Sequence, residues 1–383
     1  MADKITKVTG SKGFFGTLAE SLKKVVSGFA MFFLAFPLLL WNECRSVTTA
    51  KSLDEGSGLV IEVSSDAVDA NNQSKLVHIT GEAKTNETLK DPQLSVAMKG
   101  LRLRRSVEMY QWMEREEKKT KDDKEYTTWY YEKGWSSNLV DYTDFEEIEG
   151  HVNPTSMPYE SQTWQVAGAT VGAWNMSPDQ IAKMSSFQKL TITDDAAKAA
   201  GRNAQAYNGD LYIGPNPSTP VVGDVRIEYE VVPEGPVSLI GQQVSSTMQA
   251  YQTQAGDALL LVQSGTHDSA AMFEKAHSDN ALMTWLIRFV GFMMMFMGLS
   301  LIFGPIKVIA DKVPFIGNAL EAGVALVAFL IAAFLSLMTI AVSWIVVRPL
   351  VGIGLMILAI GSVVGLVMLV RKGKAKKEAT AAA

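Results

Sequence analysis

The chain has 383 residues, is 48% hydrophobic and carries a formal net charge of −5, but the charge is segregated, and the acidic middle argues against nucleic acid as its partner. The apolar residues gather at 25–41 and 282–370, a distribution that an ordinary soluble globule does not need. A single cysteine, Cys44, excludes an intramolecular disulfide.

Residues 1–24 form a basic N-terminus with Lys4, Lys7, Lys12, Lys23 and Lys24. The run VVSGFAMFFLAFPLLLW, residues 25–41, is apolar enough for a first transmembrane helix, and no small-residue cleavage site follows it. It reads as an uncleaved signal anchor. Trp41, Asn42 and Glu43 precede Cys44 where a lipoprotein signal needs small residues, so lipidation is rejected.

Residues 42–281 are polar and carry strand signals. The runs GLVIEVSS (58–65), KLVHITGEA (75–83), DVRIEYEVV (224–232) and ALLLVQSG (258–265) are short, apolar or alternating, and bounded by turn residues. From Leu101 the odd positions are mainly apolar, while the even ones are Arg102, Arg104, Ser106, Glu108, Tyr110, Trp112 and Glu114. That period of two predicts a strand, and YTTWYYEKGW (126–135) supplies its partner. The pair reads as a long hairpin with a charged tip at 118–125; a helix over 104–119 is the competing reading. Ser177, Pro178 and Gln180 form a capping box that opens a helix, and SAAMFEKAHSDNALM (269–283) reads as helix running into the next span.

The second, third and fourth spans are expected at 282–303, 321–347 and 349–370, with a loop at 304–320 and a basic tail at 371–383. Lysines lie at the N-terminus, in the loop (Lys307, Lys312) and in the tail, which places those three segments in the cytoplasm and the 42–281 domain outside it. Trp41, Trp285, Arg288, Trp344 and Arg348 suit the membrane interface, with Arg288 snorkelling to the headgroups. Gly291 and Gly298, and likewise Gly361 and Gly365, are spaced for close helix packing. Ser336, Thr339 and Ser343 suit hydrogen bonds between helices. No Asp, Glu or Lys falls mid-span, which counts against an ion-coupled transporter. The fold class is a multi-pass α-helical membrane protein with four spans and a large α+β, mainly antiparallel, extracytoplasmic domain.

Chemistry is not written locally. There is no nucleophile elbow, P-loop or dinucleotide fingerprint, and His78, His151, His267 and His277 are not at metal-ligand spacing. No cofactor, metal or catalytic residue is expected. The best candidate contact surface is the even face of the hairpin, Arg102, Arg104, Glu108, Tyr110 and Trp112, because Arg, Tyr and Trp anchor interfaces and meet headgroups.

These segments resemble a known family. LRLRRSVEMYQWMERE, LLLWNECRSVTTAKSLDEG, KLVHITGEA, GDVRIEYE, QAGDALLLVQSG and GFMMMFMGLSLIF are similar to the LUMA family (transmembrane protein 43), over nearly the whole chain. The resemblance implies one N-terminal span, a large non-cytosolic domain and three C-terminal spans. Animal members reside in the endoplasmic reticulum and inner nuclear membrane, associated with emerin and lamins, and bacterial members exist; it implies no catalytic residues. The expectation is a bacterial inner-membrane scaffold or sensor that meets membrane lipids and other membrane proteins, self-assembly included, and no nucleic acid. The endoplasmic reticulum and inner nuclear membrane are the alternative location. A channel or transporter, and a membrane-bound hydrolase, are the alternative functions.

Overall fold

The computed structural model describes residues 3–11, 14–121, 124–201, 203–310 and 317–347, with Ile353, Gly354, Ile357 and Gly361 beyond them. The chain divides into two compact units. One comprises Met1–Ser11, Asp54–Gln254 and Ala258–Glu274, and the other Lys12–Leu53, Ala255–Asp257 and Lys275–Ala383.

The first unit is β-rich. Its larger sheet runs β1 (Asp3–Ser11), β7 (Lys124–Ser136), β6 (Arg102–Lys121), β14 (Val225–Val232), β13 (Asp210–Ile213), β12 (Ala204–Tyr207), with β8 (Gln162–Gln165) on β6 and β11 (Gln188–Leu190) on β14. The second sheet runs β19 (Leu261–Ser264), β15 (Gly235–Val244), β16 (Thr247–Gln249), β10 (Trp174–Met176), β9 (Ala169–Val171), β3 (Leu76–Lys84), β2 (Ile61–Glu62), and β15 also pairs with β3. Two short ribbons, β4 (Thr88–Lys90) with β5 (Ala97–Lys99) and β17 (Tyr251–Gln252) with β18 (Ala258–Leu259), complete the strands. Among the described residues only β2–β3 and β10–β16 are parallel, so the unit is mainly antiparallel.

One core joins the two sheets. Val77, Ile79 and Ala83 of β3, Leu103, Val107 and Met109 of β6, Ile227 and Tyr229 of β14, and Val237 and Leu239 of β15 all belong to it. From Leu101 to Trp112 burial alternates strictly, odd positions in and even positions out. The apolar odd face is what the core claims, and a slip of one residue would put Arg102 and Arg104 inside it. The capping box appears as read: α2 (Pro178–Lys183) has Ser177 as N-cap and Gln180 reaching back. Thr193 caps α3 (Asp194–Ala200). The run expected as a strand at 58–65 contributes only two residues to β2, because helix extends to Leu59.

The N-terminal segment is the largest departure. The structure assigns Asp3–Ser11 to the β-rich unit, where charge pattern set it apart as cytoplasmic. It pairs antiparallel with β7 from Asp3 opposite Tyr131 to Ser11 opposite Lys124. Thr6 and Thr128 hydroxyls meet at 2.9 Å, and Lys7 reaches Glu146. Backbone pairing requires both strands on one side of a bilayer, so it and the placement of residues 1–24 and 42–281 on opposite sides exclude one another. In a Cys44→Ser background, Thr6→Cys with Thr128→Cys is expected to close an intramolecular disulfide on mild oxidation, scored by peptide mass. Thiols at 6 and 128 that label from opposite faces of sealed membranes would restore the charge-based placement.

The second unit is helical. Its long helices are α1 (Phe14–Leu59), α4 (Ser269–Ile302) and α6 (Gly317–Val347), with α5 (Gly304–Ala310) between the last two. Among the described residues three stretches are long and apolar enough to cross a membrane, Gly16–Leu59, Ser269–Ile302 and Gly323–Ile345. The fourth expected span, 349–370, and the tail lie outside the described residues apart from four isolated positions. With 46 residues, α1 is about 69 Å long at ~1.5 Å per residue, more than twice a bilayer core. Pro37 stands inside it, where it removes one backbone hydrogen bond.

Candidate functional site

The even face of β6 carries the five residues singled out by sequence, and each has a partner within the unit. Arg102 donates from Nη1 to the carbonyls of Ala182 and Met184 at 2.7 and 2.5 Å, satisfying groups left open by the end of α2. Arg104 lies opposite Glu230 of β14, bonds it at 2.7 Å and stacks its guanidinium 4.1 Å from the Phe187 ring centre. Glu108 lies opposite Arg226 and bonds it, and Arg226 in turn covers Trp135. Tyr110 packs 5.2 Å from Trp135. Trp112 meets His151 edge-on at 4.7 Å, with Lys133 above its ring. Half-exposed pairs of this kind contribute about 0–1 kcal/mol each, so this face sets register more than it supplies stability.

The odd face holds a residue that the sequence reading passed over. Arg105 is 1% exposed. Its Nη1 donates to Asp91 Oδ2 at 2.6 Å, Nη2 to Gln93 Oε1 at 2.7 Å and Nε to the Glu160 carbonyl at 2.9 Å. The Tyr229 hydroxyl donates to the same Asp91 oxygen, while Asp91 Oδ1 accepts from the backbone of Gln93 and Leu94. Burial and the hydrogen bond to Asp91 push the Tyr229 hydroxyl well above the usual phenol range. The signal for this centre was a charged residue at an inward position, which demands a buried partner.

Beyond Trp112 the hairpin leaves the core. Tyr110 exchanges backbone bonds with Gly223 and Asp224, and the Asn153 amide bonds both the N–H and C=O of Trp112 as a strand would. From Met113 on, no further strand pairs with that edge of β6 among the described residues. What continues is a three-stranded ribbon, β1–β7–β6, that displays Arg115 over Tyr130, Glu117 bonded to Tyr130, and Lys118 and Lys119 beside Glu116 and Glu117.

In the helical unit the described glycines of the second span sit at contacts. A Cβ on Gly298 would come within 2.8 Å of the Gly28 carbonyl, and one on Gly291 within 2.5 Å of the Leu39 side chain. Only glycine allows backbones this close. Gly28 was not singled out; its place seven residues before Ala35, itself buried, was the available sign. A Cβ on Gly361 would meet nothing within 4 Å among the described residues, and Gly365 lies outside them. Ser336, Thr339 and Ser343 were expected to bond between helices. They donate instead to the carbonyls of Ala333, Leu335 and Thr339 of their own helix, which serves a buried hydroxyl at no cost in packing.

Arg288 and Trp344, expected as interface anchors, share one buried partner in the helical unit. Arg288 donates from Nε and Nη2 to the two oxygens of Glu43, each at 2.7 Å, and the Trp344 indole N–H donates to the same carboxylate. Glu43 is 1% exposed. Beside it Arg45 bonds Asn280, Asn42 and Thr284, and Asn42 bonds the Thr284 carbonyl. One carboxylate thus ties α1, α4 and α6 at one level. Trp41 and Trp285 are 55% and 67% exposed; Arg348 lies outside the described residues. Among the described residues no group of three or more His, Cys, Asp or Glu side chains is arranged to hold a metal ion.

A β-rich unit joined to long apolar helices defines an integral membrane protein. The family model for transmembrane protein 43 matches residues 109–349, and the chain belongs to that family. It is 34% identical to transmembrane protein 43 of Mus musculus over 355 residues, 88% of each chain. It is 32% identical to that of Homo sapiens over 362 residues, 90% of this chain and 89% of the relative. The Drosophila melanogaster homolog is 29% identical over 353 residues, 88% of this chain and 93% of the relative. No solved structure matches the chain.

Proposed function

We propose that this protein is a non-enzymatic membrane scaffold or sensor, whose β-rich unit recognises membrane proteins or lipid headgroups outside the cytoplasm. The observation that carries the reading is the β1–β7–β6 ribbon, which continues past the core and presents Arg115, Tyr130 and alternating charges with no neighbouring strand among the described residues. Arg and Tyr are side chains that carry binding energy at interfaces. The five residues of the even face are engaged inside the unit, so the contact zone shifts outward along the same hairpin. The lysines at 307, 312 and in the tail favour a cytoplasmic side for those segments, with the β-rich unit on the other side.

The test is cross-linking from native membranes, comparing the wild type with Arg115→Glu, Tyr130→Ala. Arg104→Glu is avoided, because it would set a carboxylate against Glu230. The expected result is a defined set of membrane proteins or lipids captured by the wild type and lost at least tenfold in the variant, with unchanged thermal stability. Equal capture by both, or substrate turnover or ion flux by the purified protein, would overturn the reading.

A further inference from the structure

The start of α4 is gripped by a hydroxyl and histidine cluster that the proposed function does not use. Glu62 of β2 bonds His78 Nδ1 and accepts from the Ser269 backbone, the first residue of α4, at 3.3 Å. His78 is 3% exposed. Its Nε2 lies 3.4 Å from Thr80 Oγ1, and that hydroxyl also lies 3.2 Å from the His267 carbonyl and 3.1 Å from Ser238 Oγ. Ser238 donates to the Gly265 carbonyl and accepts from the His267 N–H, both at 2.9 Å. The turn from Gly265 to Asp268 is therefore held to β3 and β15 by two hydroxyls.

Counting protons shows a choice. A carboxylate can only accept, so the His78 Nδ1 facing Glu62 carries a hydrogen. Partial burial pushes the Glu62 carboxyl up, and hydrogen bonds from Ser269 and His78 outweigh it, holding it below the usual range and ionised. Ser238 spends its one hydrogen on Gly265. Thr80 has one hydrogen and three acceptors within reach, His78 Nε2, the His267 carbonyl and Ser238 Oγ. With neutral His78, Nε2 is a bare acceptor and competes for that hydrogen. With imidazolium, Nε2–H donates to Thr80, and the Thr80 hydrogen is released to the His267 carbonyl or to Ser238 Oγ, which itself holds Gly265 and His267.

The geometry points to His78 as a proton-controlled clasp on the root of α4, tighter when the ring is protonated. Histidine is the side chain that changes charge between pH 5 and 8. Across the sheet His78 faces Glu62 and Ile240, and Thr80 faces Ser238. The other titratable groups at the turn are His267, whose Nε2 donates to the Ser264 carbonyl, and Asp268, which caps Ala271. The clasp makes the hold of β2, β3 and β15 on the first turn of α4, all within the β-rich unit, respond to the pH around it. It is independent of the hairpin reading.

Hydrogen–deuterium exchange on the full chain in nanodiscs tests it, following amides 266–272 at pH 5.5 and 7.5 with intrinsic exchange rates divided out. The wild type is expected to be about fivefold more protected at pH 5.5, the worth of one hydrogen bond. Thr80→Val should be weakly protected at both pH values, His78→Gln should lose the pH dependence, and His267→Gln should keep it. Should His78→Gln misfold, nitrogen-15 spectra of histidine in the wild type report whether His78 gains its second proton as protection rises. No pH dependence in the wild type, its survival in His78→Gln or its loss in His267→Gln would each overturn the clasp.

Discussion

Arg105→Met is expected to destabilise the β-rich unit by about 3–5 kcal/mol, the cost of leaving a buried charge without its partner. Asp91 is the group left behind. It is 1% exposed and would keep only the Tyr229 hydroxyl and two backbone donors for a full negative charge. Gln93 and the Glu160 carbonyl would also lose their donor, so the 91–94 turn and the 160 segment loosen from β6 together. The double variant Asp91→Asn, Arg105→Met should recover a large part of the loss, since the amide oxygen can still accept from the turn while the amide NH2 donates to the Tyr229 hydroxyl, without charge. Denaturant midpoints of the single and double variants measure the coupling. A double variant no better than Arg105→Met would mean that the loss is one of packing against Tyr159 and Trp164, which flank the guanidinium.

This centre marks the limit of what the sequence made legible. The alternation at 101–112 was visible because a core on one face imposes a period of two on a single strand. The capping box at 177–180 was visible because it closes within four residues. The apolar spans were visible because a bilayer demands length and composition, whatever the neighbours. Asp91 and Arg105 are joined only when the ribbon β4–β5 folds over β6, which no local pattern announces. Residues 3–11 show the same limit: DKITKVTGS reads as a basic tail, and becomes a strand only because β7 offers it an edge. In the sequence Glu43 tells only against a lipoprotein signal at Cys44. Its role depends on Arg288 and Trp344, which arrive from two other helices.

That second centre gives the other large expected effect. If Arg288 were a headgroup anchor, Arg288→Lys would be nearly neutral, because a lysine snorkels as well as an arginine. In the structure the guanidinium forks onto both oxygens of Glu43, with Arg288 14% and Glu43 1% exposed. A lysine presents a point charge and cannot reproduce that fork. Arg288→Lys is therefore expected to lower the melting temperature of the detergent-solubilised protein by several degrees. Arg288→Met should lower it further, by an amount equivalent to about 3–5 kcal/mol, because a buried carboxylate is then left with the Trp344 indole alone. Glu43→Gln combined with Arg288→Met removes the stranded charge and should restore most of the stability. The order wild type, double variant, Arg288→Lys, Arg288→Met from most to least stable would identify Glu43 as the tie between the three helices. Equal melting of wild type and Arg288→Lys would return Arg288 to the membrane surface.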